Sequence, residues 1–158
     1  MSLSLSSSKP GRPGASVADK QIVLDANILV RAVLGVRARE LIERYASTTI
    51  FYAPDVAFAD AEEHLPGLYE KRNLSSAYAM KVYERISAIV QELPIAFYTG
   101  REEEARARIG PRDPDDWPVM ACALTLDCPI WTEDHDFFGA GVASWTTDRV
   151  EQFLSNVM

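Results

Sequence analysis

The apolar residues of this chain fall into short clusters, separated by stretches in which they recur every three or four positions. The clusters are Gln21 to Leu24, Thr49 to Tyr52, Ile95 to Tyr98, Pro129 to Thr132 and Ala143 to Trp145. Short clusters rich in β-branched and aromatic residues predict strands covered on both faces. The first intervening stretch predicts a helix over Ala26 to Leu34, interrupted by Gly35 and resumed over Arg37 to Ala46 with Leu41, Ile42 and Tyr45 at helical spacing. Asp55 to Arg72 is helical with a break near Pro66 and Gly67, because an internal proline loses a hydrogen bond and clashes with the preceding turn. Ser75 or Ser76 caps a long helix to about Leu93 that places Met80, Tyr83, Ile86, Ile89 and Val90 on one side. These two helices make a hairpin.

Further on, Thr99 with Glu102 forms a capping-box pattern that opens a helix to about Ile109. Asp113 to Leu126 is the next helix, with Pro118 in its first turn, and Asp148 to Val157 closes the chain. Strands alternate with helices throughout, which predicts an α/β fold: a three-layer α/β/α domain with a central, mainly parallel sheet. Residues 1–19 (MSLSLSSSKPGRPGASVAD) are rich in Ser, Pro and Gly and lack the apolar core of a signal peptide, so they read as a disordered leader. Residues 20–158 carry no internal repeat or second linker and read as one domain.

Composition narrows the function. The chain has 158 residues, 47% of them hydrophobic, enough for one domain with a substantial core. Its net charge of −7 argues against a broad basic face that grips nucleic acid. A nuclease is still allowed, because a carboxylate pocket loaded with a divalent cation reverses its own local sign. Cys122 and Cys128 have neither CxxC nor Cys/His spacing and read as buried free thiols. That fits a reducing, cytoplasmic location. No apolar run is long enough to span a membrane.

The candidate chemistry lies in acids placed where strands end or helices begin: Asp25 in IVLDANILV, Asp60 in APDVAFADAEEHL, Asp116 in RDPDDWPVMACAL and Asp134 in PIWTEDHDF. In open α/β sheets, ligands bind outside the carboxyl ends of the strands. Carboxylates gathered there repel one another unless a divalent cation neutralises them. Asp25 directly follows IVL, and the competing role is to cap the next helix. Asp134 follows PIWT, with Thr132 placed to orient a carboxylate or a metal-bound water, and Asp136 is close enough to substitute for Asp134. Of the acids before the apolar helix, Asp113 looks like the cap, and Asp116, one turn before Met120, is the ligand. Asp60, Glu63 and His64 share a helix face. A hard-metal site built from oxygens does not need His64.

Taken together, IVLDANILV, FYAPDVAFAD, RDPDDWPVMACALTL and PIWTEDHDF resemble the PIN-domain family, which includes VapC-like toxins, over residues 21 to about 150. The resemblance implies a compact α/β/α domain whose acidic pocket binds Mg²⁺ or Mn²⁺ and cleaves RNA. The family's first Asp corresponds to Asp25 with its polar partner Asn27, the acid before the apolar helix to Asp116, and the T-x-D acid to Asp134 with Thr132. The helical acid is usually Glu and is Asp60 here, one methylene shorter, so that it reaches a metal through water or Glu63 substitutes. Asp25, Asp116 and Asp134 are then the expected metal ligands. Arg31, Arg37 and Arg112 are candidates for flanking phosphates, and solvated surface arginines are the competing reading. A toxin would imply an antitoxin that inserts an Arg over the pocket. Homodimerisation through the hairpin around residues 55 to 93 is a further expectation.

Three other classes compete. A phosphatase forming an aspartyl phosphate often needs a second Asp two residues after the first, and Asn27 stands there. A response-regulator receiver needs paired acids near the first strand and a lysine after a late one, yet no lysine follows Lys81. A PIN-like module without cleavage activity, acting by binding a protein, draws its support from Asp60 in place of Glu and from the acidic surface.

Overall fold

A central strand, β1 (Lys20–Leu24), organises the sheet of this computed structural model, which describes residues 20–110 and 114–156. The leader, Arg112, Asp113 and Val157 lie outside the described residues. β1 pairs on one side with β2 (Thr49–Pro54), which pairs with β3 (Gln91–Leu93). On the other side it pairs with β4 (Ile130–Trp131), which pairs with β5 (Ser144–Trp145). The strand order is β3-β2-β1-β4-β5 and every pairing is parallel.

Ile22, Val23 and Leu24 are all fully buried, as the centre of a sheet covered on both faces requires. Side chains alternate along a strand, so Ile22 and Leu24 enter one core and Val23 the other. The first core is covered by α1 (Ala26–Leu34), α2 (Arg37–Arg44), α3 (Asp55–Lys71), α4 (Ser76–Ile89) and α8 (Val150–Leu154). The second is covered by α5 (Ile95–Tyr98), α6 (Glu102–Ile109) and α7 (Trp117–Leu126). The expected α/β/α layering with a parallel central sheet is therefore present. None of the described helices is long and apolar enough to cross a membrane.

Several local expectations are corrected. α3 runs unbroken through Pro66, because Ala57, Phe58, Ala61, Leu65 and Tyr69 are buried on both sides of the proline and packing overrides the lost hydrogen bond. α4 begins at the Ser75 cap but ends at Ile89; Ala79, Val82, Tyr83 and Ile86 are its buried residues, and Met80 faces solvent. The third strand is the polar QEL at Gln91–Leu93, whereas Ile95–Tyr98 is the short helix α5. Asp55 explains the switch: its carboxylate accepts from the Ile95 N–H at 3.0 Å and the Tyr98 hydroxyl at 2.5 Å, holding IAFY in a turn.

The capping box does not form either. Thr99–Arg101 is a 3₁₀ turn, and Glu102 pairs with Arg106 at 2.8 Å. The helix predicted from Asp113 is divided, in the described part, into a 3₁₀ turn over Pro114–Asp116 and α7. Pro118 does fall in the first turn of α7. The last strand and helix are shorter than the sequence pattern suggests.

Glu151 fastens α8 to both ends of α2. It accepts from Arg37 and Arg44, each at 2.8 Å, and from the Tyr45 hydroxyl at 2.7 Å. The Tyr45 and Arg37 hydrogen bonds lower its carboxyl from 4.5 to about 2. A folded-state value below the unfolded one gives stability that is present above about pH 4.5 and lost as pH falls toward about 2. Glu151→Gln should therefore lower the thermal midpoint at pH 7, with the gap to wild type closing across that acidic window. A gap that did not change with pH would contradict this role.

Candidate metal centre

The sheet order reverses direction beside β1: β2 lies on one side and β4 on the other. Such a switch point opens a crevice at the carboxyl ends of the two diverging strands. Asp25 directly follows β1, and Thr132 directly follows β4. Thr132 is fully buried, and its hydroxyl donates to Asp25 Oδ2 while accepting from the Asp134 N–H at 2.9 Å. One hydroxyl therefore links the two strand ends. Asp134 Oδ1 then accepts from the Asp136 N–H at 2.9 Å and caps the 3₁₀ turn His135–Phe137.

Asp25 also caps α1, with Oδ1 accepting from the Ile28 N–H at 3.0 Å. Capping and site geometry thus coincide in one residue, because both of its oxygens are engaged. Burial pushes its carboxyl from 3.8 to about 6; the hydrogen bonds from Thr132 and Ile28 oppose that rise, and repulsion from Asp134 and Glu133 adds to it.

Asp116 stands at the N-terminus of α7, but its side chain makes no capping hydrogen bond to that helix. Instead, one carboxylate oxygen each from Asp116, Asp134 and Asp136 lie within 4.8 Å of one another. Asp116 Oδ2 is enclosed in protein. Three partly buried carboxylates this close, next to a fourth whose proton affinity is raised, form a set that a cation would relieve. The donors are all oxygen, which suits a hard divalent ion such as Mg²⁺ or Mn²⁺.

The remaining expected residues lie apart from this cluster. Asp60, Glu63 and His64 form a second, exposed group on α3, with His64 Nδ1 2.8 Å from the Asp60 carbonyl oxygen. Asp60 and Asn27 line one cavity of about 480 Å³ between α1 and α3, but Asp60 does not join the three clustered carboxylates. Arg31 and Arg37 line an adjoining cavity, and Arg112 lies outside the described residues. Both cysteines are free, and burial raises their thiols well above the ordinary value.

Sequence reasoning missed three supports of the crevice. Glu133 accepts from the Thr147 N–H at 2.7 Å, and the Trp131 indole N–H donates to the Thr147 hydroxyl at 3.0 Å, so the loop after β5 braces the loop after β4. Arg108 donates to the Ala140 carbonyl oxygen at 3.1 Å beyond the Asp134–Asp136 turn. Gly141 has φ +91°, and a Cβ there would sit 2.0 Å from the Arg108 guanidinium, so only glycine suits the position. No local pattern announces these pairings, since each joins residues far apart along the chain.

The match of the PIN domain family model over residues 23–155 places this chain in the PIN domain family. Members of that family are generally nucleases. Among solved structures, the chain is similar to VapBC2 from Rickettsia felis bound to a DNA fragment from their promoter, with a TM-score of 0.60 and 12% identity over 80% of this chain and 98% of the other. It is also similar to FitAB bound to an IR36 DNA fragment, with a TM-score of 0.52 and 17% identity over 80% of this chain and 94% of the other. At these identities the likeness speaks for the fold. No curated protein matches the chain in sequence.

Thr132→Val keeps the shape and removes the hydroxyl, leaving the partly buried Asp134 N–H and Asp25 Oδ2 without that partner. The variant should lose about 1–3 kcal/mol in urea unfolding. Because the Thr132 hydrogen bond lowers the Asp25 carboxyl, its loss should raise the Asp25 midpoint in a carboxyl-resolved NMR titration. An unchanged midpoint would show that the hydroxyl does not govern Asp25.

Proposed function

We propose that this chain is a divalent-metal-dependent endoribonuclease that hydrolyses RNA phosphodiester bonds, and that it is the toxin of a toxin–antitoxin pair. The observation that carries this reading is the convergence of Asp116, Asp134 and Asp136 at the switch point of a PIN domain, beside an Asp25 raised toward neutrality. Asp116 and Asp134, with Asp136 beside them, hold the cation, and Asp25 takes part as a ligand or as the proton acceptor. A bound Mg²⁺ or Mn²⁺ supplies positive charge to a scissile phosphate and acidity to a water.

The chain's own groups do the rest. Thr132 fixes Asp25 and the Asp134 backbone in one arrangement. Burial raises the proton affinity of Asp25, which suits a group that accepts a proton from water. Asn27 and Asp60 face a substrate across the cavity they line, with Asp60 acting through water or Glu63 in its place. Arg31 and Arg37, and Arg112 outside the described residues, contact flanking phosphates.

The toxin assignment draws on the fold likeness to VapBC2 and FitAB. An antitoxin would cover the acidic pocket and present an Arg to its carboxylates. The hairpin of α3 and α4, where Tyr78 and Met80 are about half exposed, is the face for a homodimer. A cytoplasmic location follows from RNA as the target. The alternative, a catalytically silent PIN-like module that binds a protein, is favoured by one observation: Asp60 lies outside the carboxylate cluster.

The test incubates wild type and Asp25→Asn with a mixed RNA pool in Mg²⁺, in Mn²⁺ and in chelator. Wild type should cleave only with metal, and Asp25→Asn should stay folded and be slower by at least about a hundredfold. Equal cleavage by both proteins would remove Asp25 from the site. Absence of cleavage by wild type, with metal bound, would favour the silent module.

A further inference from the structure

One cavity, which Asn27 and Thr147 help to line, gathers arginines without acids among the described residues. It measures about 470 Å³ and is lined by Arg31, Arg37 and Arg72 together with apolar Val36 and Leu68. In a chain of net charge −7, no acidic residue is among its described lining residues. The three cations arrive from separate elements: Arg31 from the last turn of α1, Arg37 from the start of α2, and Arg72 from the C-terminal end of α3. Glu151 holds Arg37 at 2.8 Å, whereas no ion pair among the described residues engages Arg31 or Arg72.

Two further features suit an anion. The first turn of α2 opens into this cavity, and its N-cap residue, Val36, supplies no side-chain hydrogen bond to the helix. Helix N-termini carry partial positive charge. The cavity is also joined to both site-bearing loops: Asn27, just after Asp25, lines it, and so does Thr147, whose N–H is bonded to Glu133 beside Asp134. The cavity is thereby connected, through Asn27 and Thr147, to the segments that carry Asp25 and Asp134.

We infer that the Arg31–Arg37–Arg72 cavity is a subsite for one nucleotide of a single-stranded RNA, with the guanidinium groups and the α2 terminus taking a phosphodiester and Val36 and Leu68 taking the base. The inference rests on RNA as the substrate and assigns Arg72 and Val36 to its recognition. Arginine suits the task because its planar fork meets phosphate oxygens in pairs. Aliphatic side chains beside it give a base apolar area to bury without reading its sequence. The subsite is therefore expected to anchor the strand without selecting it.

The experiment measures binding of a fluorescent eight-nucleotide single-stranded RNA to the full chain in chelator, across a salt series, so that binding is read apart from cleavage. Arg31→Gln with Arg72→Gln should weaken binding by roughly tenfold or more and flatten the slope of log affinity against log salt by about 0.7 to 1.4. Lys81→Gln with Arg85→Gln removes the same charge outside the cavity and should leave that slope unchanged. Val36→Asp serves as the second variant: an acid suits a helix N-terminus, so folding should hold while RNA binding falls.

Unchanged affinity and slope in the cavity variants would overturn the subsite while leaving metal-dependent cleavage intact. Loss of binding in those variants, with a wild type that cleaves no RNA, would keep the subsite and remove the nuclease reading. No RNA binding by wild type, or tighter binding of a poly-glutamate peptide than of RNA, would overturn the subsite and count against RNA as the substrate.

Discussion

The hydroxyl of Thr132 is the point on which the carboxylate-bearing edge of this domain depends. It sits fully buried between the ends of β1 and β4, donates to Asp25 and accepts from the backbone of Asp134. The adjacent Asp134 side chain then orders the turn that carries Asp136. Two loops more than a hundred residues apart in sequence are thereby held as one surface. A parallel sheet that reverses its order beside β1 supplies the crevice, and this hydrogen-bonded chain fills it with oriented carboxylates.

The same arrangement explains why the edge is electrostatically costly. Burial drives the Asp25 carboxyl up to about 6, even though two hydrogen bonds stabilise its charged form. Asp116, Asp134 and Asp136 add three further carboxylates within 4.8 Å of one another. Uncompensated, such a set weakens a fold; with a hard cation it becomes a binding site. Positive charge is kept apart from it, in the cavity formed by α1, α2 and the end of α3. The overall acidity of the chain thus conceals a local separation between a carboxylate cluster and a cavity lined by Arg31, Arg37 and Arg72.

Much of this was legible in the sequence, for identifiable reasons. The run IVL ending in Asp25 and the run IW followed by Thr132 are both central parallel strands, whose burial on two faces leaves an unmistakable apolar signature. The acids after them are therefore placed as soon as the fold is. β3 was illegible because an edge strand can be polar, and IAFY looked like a strand until Asp55 was seen to hold it as a turn. Pro66 misleads because propensity takes no account of the packing of Leu65 and Tyr69. Asp60 was placed on the right helix, but only the rotation of α3 shows it facing Asn27 across a cavity and apart from the three carboxylates. The brace from Glu133 to Thr147 had no local signal at all, since it depends on β4 lying beside β5.

The most direct test is anomalous diffraction from crystals of this chain loaded with Mn²⁺. The account predicts a peak coordinated by Asp116, Asp134 and Asp136 beside Asp25. Density confined to the exposed Asp60–Glu63–His64 group, or no ion at the ends of β1 and β4 at saturating Mn²⁺, would contradict it.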